Sequence, residues 1–233
     1  MIPMRSVPVP QSARTANATA IWRLVLILAC LGSSAASAER LMIGSFAAGD
    51  VSGWEEKSFK GKTSYQLTFD PQLGKSVLGA ATQGAASGRI KKIQVDLRKT
   101  PYLNWSWKIE QPYAGLDEST KGGDDFPVRV YVVAQRGVFG LATRALNYVW
   151  ASSKPVGQSW PNPFTANARM IAQDSGSAGA GQWMVHKRNV RADWQAAFGD
   201  AIEQIDAVAI MTDGDNSGLA AGAWYGDIFF SDH

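Results

Sequence analysis

Strict alternation of apolar and polar residues constrains the fold of this chain more than any other feature. Between residues 103 and 109 every second side chain is apolar. In a β-strand this period places the apolar side chains on one face and the polar ones on the other. The apolar set is Leu103, Trp105, Trp107 and Ile109. The segment therefore predicts a strand that is buried on one face.

Comparable short segments recur along the chain with turn residues between them, which indicates about ten strands. They are residues 65–69, 126–132, 145–151, 168–173, 182–189, 205–212 and 223–231. A parallel α/β sheet would need a helix between most strands, and the sequence lacks such helical segments. We therefore predict an all-β fold, an antiparallel β-sandwich of the jelly-roll type.

One short helix is predicted near residues 190–199. Asn189 is suited to cap its first turn, and Gly199 to end it. Trp194 and Phe198 are four residues apart and would face the core together. Glycines are expected to interrupt the region after the first strands, and prolines to mark a long loop between residues 150 and 168. These residues are Gly74, Gly79, Gly84 and Gly88, and Pro155, Pro161 and Pro163.

The first 38 residues differ from the rest, because they contain three arginines and no Asp or Glu. An apolar run at 24–31 is followed by small residues at 32–38. This order is that of a signal peptide, with cleavage expected after Ala38. The run is shorter than the about 20 residues that span a bilayer, so no transmembrane segment is predicted. We expect an exported protein, periplasmic or secreted, with residues 39–233 as a single β-sandwich domain.

Charge and cysteine content exclude several classes of site. The chain has 23 Lys and Arg against 20 Asp and Glu, and the leader holds three of the arginines, which leaves 20 against 20. This balance gives no basic footprint for nucleic acid. The only cysteine, Cys30, also lies in the leader. The remaining domain can therefore form no internal disulfide and no cysteine-ligated metal site. Cys30 itself leaves a lipoprotein alternative open.

Histidine offers little to acid–base chemistry here. The chain contains only His186 and the C-terminal His233. His186 would lie opposite Trp183 and Val185 in its strand, so it is expected to face solvent or a binding surface. A histidine-rich zinc site is excluded by the count.

Two adjacent carboxylates, Asp124 and Asp125, precede the strand that contains Arg129. Adjacent acids can tune each other's pKa values, and an enzyme would use Asp124, Asp125 and Arg129. Neighbours in a strand point to opposite faces, however, so they would make a poor proton-sharing pair. The simpler interpretation is that they mark a turn and the start of a strand, with Asp125 paired to Arg129 or to another cation. Tyr131 would share the face of Arg129. Arg129 and Tyr131 are therefore predicted to bind a ligand.

An oxygen-rich segment follows the apolar strand at 205–212. Asp213, Asp215 and Asn216 are closely spaced, and Gly218 allows a sharp turn, as in calcium-binding loops. The late Glu and the flanking helices of an EF-hand are missing. The segment predicts either a structural calcium ion held by Asp213, Asp215, Asn216 and Asp227, or a polar turn between two strands.

Tryptophan is abundant, and exposed aromatic faces suit sugar rings. Trp105 and Trp107 alternate with polar residues and are assigned to the core. Trp160 stands in a proline-rich loop, and Trp54 follows Gly53. Trp160 and Trp54 are therefore the aromatic residues predicted to contact a ligand.

The order of these segments resembles a bacterial exported family called domain of unknown function 3047. The resemblance covers essentially all of residues 39–233. Its most specific parts are Asp124-Asp125-Phe126-Pro127 and Asp213-x-Asp215-Asn216; others are Trp105-x-Trp107, Tyr148-x-Trp150 and Tyr225-x-Asp227-Ile228. The family name implies no activity, so no catalytic residue follows from it. The ending at residues 225–230 also resembles the last strand of jelly-roll carbohydrate-binding modules.

Three functions are compatible with these features. The favoured one is an exported sandwich that binds a glycan or a cell-envelope polymer. The second is a hydrolase or lyase that acts on such a polymer, for which two carboxyl groups at a set separation are needed. The third is a structural or partner-binding envelope protein. The residues favour binding over catalysis.

Overall fold

The alternating segments become two stacked β-sheets. The structure, a computed structural model, describes residues 39–135 and 142–233. Its strands are β1 (Arg40–Gly44), β2 (Trp54–Lys60), β3 (Ser64–Asp70), β4 (Lys75–Gln83), β5 (Ala86–Asp96), β6 (Tyr102–Ile109), β7 (Arg129–Ala134), β8 (Arg144–Ala151), β9 (Ser159–Asn162), β10 (Thr165–Ser175), β11 (Met184–Asn189), β12 (Gln204–Asp213), β13 (Ala220–Tyr225) and β14 (Ile228–Ser231). The helices are α1 (Val190–Phe198) and two 3-10 turns, η1 (Phe46–Ala48) and η2 (Lys121–Gly123).

The predicted signal peptide, its cleavage site and Cys30 lie outside the described residues. Within the described ranges, no helix is long and apolar enough to cross a membrane.

Each sheet contains seven strands. Sheet I has the order β1-β14-β6-β13-β4-β3, and β11 also pairs with β6; sheet II has the order β2-β5-β12-β7-β8-β10-β9. The strands pair antiparallel except β8 and β10, which run parallel. The chain runs in the opposite direction through β9, so β10 enters the sheet in the same direction as β8. The prediction of an all-β, jelly-roll-like sandwich is confirmed.

The apolar faces of both sheets pack into one core. Trp105 and Trp107 of sheet I are buried there, with ring centroids 5.5 Å apart. Val130 and Ile210 contribute from sheet II. The strict alternation in β6 therefore did identify a core face. The opposite face of each sheet, which points away from this core, is its outer face.

The predicted helix is confirmed in position and in both caps. The Asn189 side chain accepts a hydrogen bond from the Ala192 backbone N–H at 3.1 Å. Gly199 adopts a left-handed conformation with φ 76° and closes the last turn. Trp194 and Phe198 contact each other at 4.6 Å between ring centroids.

The expectation that glycines interrupt the region after the first strands is wrong for two of them. Gly79 lies inside β4 and Gly88 inside β5. A Cβ atom on Gly88 would stand 2.7 Å from the Ile210 carbonyl oxygen. Glycine here allows close approach of neighbouring backbones within the sheet, and it does not end the strand. Residues 223–231, predicted as one strand, are divided between β13 and β14.

A second, smaller apolar cluster covers part of the outer face of sheet II. It consists of Phe126, Val149, Ala151, Trp160, Met170 and Ala172. Phe126, from the segment that precedes β7, packs here against outer-face side chains of β8, β10 and the edge strand β9. This cover leaves the neighbouring part of the same outer face as the floor of a cleft.

Candidate functional site

The cleft lies on the outer face of sheet II. On β7 the core residues Val130 and Val132 alternate with Arg129 and Tyr131, which places the latter two on the outer face. The same alternation brings side chains of β8 and β12 to the cleft, which has a volume of about 400 Å³. Its polar lining includes Asp124, Arg129, Asn147, Asn162, Asp213, Asp215 and Asn216.

A smaller cavity of about 170 Å³ continues the cleft across the sheet toward β5 and β2. The two share Phe59, Tyr131 and Met211 as lining residues. Lys57 lines the smaller cavity. The outer face therefore carries one groove with a carboxylate-rich end and an end that bears a lysine.

Two acidic segments that are remote in sequence meet at the carboxylate-rich end. Asp125 is fully buried, and one carboxylate oxygen accepts from the Asn216 side chain at 3.0 Å. Its other oxygen accepts from the Ser217 backbone N–H at 2.6 Å. Asp125 thus fixes the turn between β12 and β13, and this turn places Asp215 in the cleft wall.

Arg129 connects the same two segments through an ion pair. Its guanidinium bonds both oxygens of Asp213, with Nε donating at 2.8 Å. It also donates to the Asp124 backbone carbonyl at 2.6 Å and lies 3.7 Å from the Asp124 carboxylate. The predicted pair of Asp125 with Arg129 is therefore wrong. Asp125 precedes the first residue of β7, so strand alternation does not apply to it.

Burial controls the electrostatics of Asp213. Loss of solvent raises the pKa of Asp213 to about 7, although Arg129 favours its ionised form. The bidentate contact is the geometry of an ion pair. Both oxygens of Asp213 are engaged by Arg129, so this carboxylate has little capacity left for a ligand.

Asp124 differs from Asp213, because part of its carboxylate is free. Its side chain is 5% exposed, and burial raises its pKa. One oxygen accepts from Asn162 Nδ2 at 2.9 Å. The other, Oδ1, has no hydrogen-bond partner among the described residues, and neither has Asn147 Oδ1. Because an unpaired buried acceptor is unfavourable, these two oxygens identify where a donor would bind.

Two exposed phenylalanines stand at the cleft. Phe59 on β2 is 68% exposed, and Phe164 beside β9 is 54% exposed. Lys121 lies over the Phe164 ring at 5.4 Å. The sequence analysis predicted neither residue, because tryptophan was taken as the aromatic contact. Phe59 stands alone among lysines, which indicates that it cannot be buried with its neighbours, whereas the uncharged segment around Phe164 gives no such signal.

Trp160 and Trp54 were predicted to expose their rings to a ligand. Both are buried, so this prediction is wrong. Trp160 is 6% exposed, and its indole N–H donates to the Glu118 carbonyl at 3.0 Å. Its proline-rich segment forms β9 and packs on sheet II. Trp54 is 9% exposed and contacts Phe46.

The predicted calcium ligands are only partly brought together. Asp213 and Asp215 offer oxygens within 4.8 Å of one another and of an oxygen of Asp125. Asp227 is not in this group, and its carboxylate accepts from the Ala47 backbone N–H at 2.8 Å. Arg129 already supplies positive charge to Asp213. Calcium therefore stays a prediction that these contacts do not favour.

His186 faces the core side of its strand, so the expectation of a solvent-facing residue is wrong. It contacts Asp174 at 2.8 Å and Gln173 at 3.0 Å. The neighbouring Val185 is 81% exposed. The register of β11 against β6 places His186 opposite Trp105, and it thereby reverses the expected faces.

Comparisons with known proteins identify the family and give distant likenesses of fold. A glycoside hydrolase domain, Endo-D from Streptococcus pneumoniae R6, is similar at 13% identity and a TM-score of 0.41; the match covers 77% of this chain and 22% of that chain. A xylan-binding domain of Paenibacillus barcinonensis Xyn10C is 14% identical over 83% of this chain and 93% of that chain, with a TM-score of 0.38. A cellulase derived from Cel12A of Rhodothermus marinus is 11% identical over 82% of this chain and 98% of that chain, with a TM-score of 0.42.

The chain thus spans about a fifth of the first of these structures. No curated protein matches the sequence. The model of a protein family of unknown function, DUF3047, matches residues 52–229. The chain belongs to this family, and the resemblance noted in the sequence is confirmed.

Proposed function

We propose that this member of the DUF3047 family binds a glycan in the cleft on the outer face of sheet II. The observation that carries the proposal is the arrangement of two free buried acceptors in a cleft that is flanked by two exposed aromatic rings. The acceptors are Asp124 Oδ1 and Asn147 Oδ1, and the rings are Phe59 and Phe164.

Sugars fit this arrangement because they are amphipathic. Their hydroxyl groups are donors that satisfy fixed acceptors, and their C–H faces pack on aromatic rings. The cleft continues past Tyr131 and Met211 into the smaller cavity, which offers length for a chain of several sugar units. A polymer is therefore a better match than a monosaccharide.

The cellular setting belongs to the same proposal. The leader at 1–38 predicts export, so the glycan would be a polymer of the cell envelope or of the surroundings. The absence of cysteine after residue 38 suits any redox environment.

Binding is tested by titrating glycan oligosaccharides into the purified protein and into two variants, Phe59→Ala and Phe164→Ala. Each variant should weaken binding by about two- to tenfold, since an aromatic contact contributes about 0.5–1.5 kcal/mol. Phe69→Ala is the matched control, because Phe69 is 66% exposed on sheet I and outside the cleft. Equal losses in all three variants, or no binding across the panel, would contradict the proposal.

Stable capture of an envelope protein in the absence of glycan binding would favour the structural alternative.

Acid–base hydrolysis is a second candidate, and the state of Asp124 favours it. A buried carboxyl group with a raised pKa and a free oxygen is suited to donate a proton. The originally predicted partners are occupied, because Asp125 fixes a turn and Arg129 is paired with Asp213. Asp215 is the remaining carboxylate in the cleft. If the wild type releases reducing ends from a glycan and Asp124→Asn does not, hydrolysis is established. If the wild type binds the glycan but releases no reducing ends, hydrolysis is excluded.

A further inference from the structure

The cleft carries more negative charge than its own cations offset. Among the described residues that line it, the charged side chains are Asp124, Asp213, Asp215 and Arg129. Arg129 is bound to Asp213 through both carboxylate oxygens, so these two charges compensate each other. Arg129 also lies 3.7 Å from the Asp124 carboxylate, so one guanidinium serves three carboxylates and the cleft wall keeps an excess of negative charge.

The lysines beside this end of the cleft contact groups other than the Asp124 and Asp215 carboxylates. Lys60 donates to the backbone carbonyl of Asp215 at 2.9 Å. Lys121 lies over the ring of Phe164. Lys57 lines the adjoining cavity, on the other side of Tyr131. The carboxylate-rich end therefore retains a local excess of negative charge.

The free acceptors lie in the same place. Asp124 and Asn147 are 5% and 1% exposed, and Oδ1 of each has no partner in the described part of the chain. A ligand must bring donors to both atoms. An ammonium group offers three donors and a positive charge, whereas a hydroxyl group offers one donor and no charge.

From these observations we propose that the glycan bound in the cleft carries free ammonium groups, as an unacetylated amino sugar does. This inference rests on the proposed function, because it names the ligand class of the same cleft. An ammonium group at Asp124 Oδ1 forms a charge-assisted hydrogen bond with the free oxygen and offsets the excess negative charge of the cleft. N-acetylation would abolish the charge and add bulk. An anionic glycan would be repelled.

Three oligosaccharides of equal length test the inference, since they share one backbone and differ at one position of each sugar. A chitosan oligosaccharide carries ammonium there, a chitin oligosaccharide an acetamide, and a cello-oligosaccharide a hydroxyl. The purified protein should bind the chitosan probe about 10- to 100-fold more tightly than the cellulose probe, as expected for a hydrogen bond between charged groups. The chitin probe should bind no better than the cellulose probe.

Variants separate the charge effect from damage to the fold. Asp124→Asn should bind the chitosan and cellulose probes equally. Asp215→Asn should reduce the preference by a smaller factor, and its partly exposed side chain makes it the variant less prone to misfold. Glu203→Gln, an exposed acid paired with Arg98, is the control and should keep the full preference.

Each outcome has one meaning. Binding of cellulose and chitin probes without any preference for chitosan would overturn the ammonium inference and leave glycan binding intact. Failure of all three probes would remove the proposed function as well. Spermidine supplies ammonium groups without sugar rings, and binding of spermidine as tight as that of the chitosan probe would overturn the assignment to a glycan.

Discussion

Each sheet carries a buried pair of a cation and an aspartate on its outer face, and the two pairs differ in what they leave free. On sheet I, Lys108 bonds Asp70 and lies over the rings of Trp183 and Trp224. The Oδ1 atom of Asp70 accepts two backbone N–H groups, from Gln72 at 2.9 Å and from Leu73 at 3.0 Å. The Asp70 carboxylate is therefore satisfied within the fold, and the buried group beside it that lacks a partner among the described residues, the Trp183 indole N–H, is a donor and not an acceptor.

The pair on sheet II is surrounded by incomplete groups. Arg129 and Asp213 satisfy each other, yet Asp124 Oδ1 and Asn147 Oδ1 nearby remain without partners in the described residues. The pKa values of the aspartates on the two sheets also differ, in a way that matches their hydrogen bonding. Burial opposes ionisation of Asp70, but Lys108 and the Leu73 N–H outweigh it and lower its pKa, whereas burial raises that of Asp124. A satisfied buried charge supports structure, and an unsatisfied one in a cleft indicates a ligand.

The largest expected effect comes from breaking the pair on sheet II. Arg129→Met leaves Asp213 buried and unpaired, so the free energy of unfolding should fall by about 3–5 kcal/mol. Urea unfolding measures this loss. Arg98→Met, which breaks an exposed pair with Asp96, is the control and should change stability by about 1 kcal/mol or less. Equal losses in both variants would show that Arg129 is not the connection between the two acidic segments.

Breaking the pair on sheet I should have a smaller effect. Lys108→Met removes one charged partner, but Asp70 keeps its two backbone donors, so a loss of about 1–3 kcal/mol is expected. Glycan binding should be unchanged, because Lys108 does not line the cleft on sheet II. Weakened binding in this variant would mean that sheet I contributes to the ligand site.

Removing a free acceptor should separate binding from stability. Asn147→Leu replaces a buried amide that has an unpaired oxygen with an apolar group of similar size, so stability should stay the same or rise by about 1–2 kcal/mol. Glycan affinity should fall about tenfold. The paired readouts are urea unfolding and calorimetric titration. A clear loss of stability would show that the amide supports the fold.

The smallest expected effect is on the pH dependence of stability, and it concerns Glu118, which has a free acceptor oxygen outside the cleft. Glu118 is buried and its backbone carbonyl accepts from the Trp160 indole; its Oε2 has no described partner, and burial raises its pKa. A raised pKa favours the protonated form in the folded state, so the wild type loses stability relative to Glu118→Gln as pH rises above about 4.3, the usual pKa of an unfolded Glu. Unfolding free energies measured at a series of pH values from this point upward test the sign. A constant difference between the two proteins would refute it, and glycan binding should be equal in both.

Local signals explain which parts of this picture the sequence could predict. Alternation identified the core face of β6, and the Asn189 and Gly199 caps identified α1. The acidic segments around Asp124 and Asp213 were also recognisable as unusual. Their meeting was not predictable, because it depends on the pairing of β12 with β7, which brings Asp213 to Arg129 from 84 positions along the chain.

Burial of single aromatic residues was the least predictable feature. Trp160 is buried because η2 and its neighbours lie over β9, which no local pattern reveals. Phe59 is exposed because its strand lies at the edge of sheet II and faces the cleft. The sequence therefore identified the acidic segments and Arg129, missed the amide side chains of Asn147 and Asn162, and misassigned the aromatic residues.

The most direct test of the central claim is a crystal structure of the protein with a bound oligosaccharide taken from the chitosan, chitin and cellulose series. We expect the sugar chain on the outer face of sheet II, in contact with Phe59 and Phe164, with donors within hydrogen-bond distance of Asp124 Oδ1 and Asn147 Oδ1. A sugar chain bound on the outer face of sheet I, over Trp224, with an empty cleft on sheet II, would contradict the account.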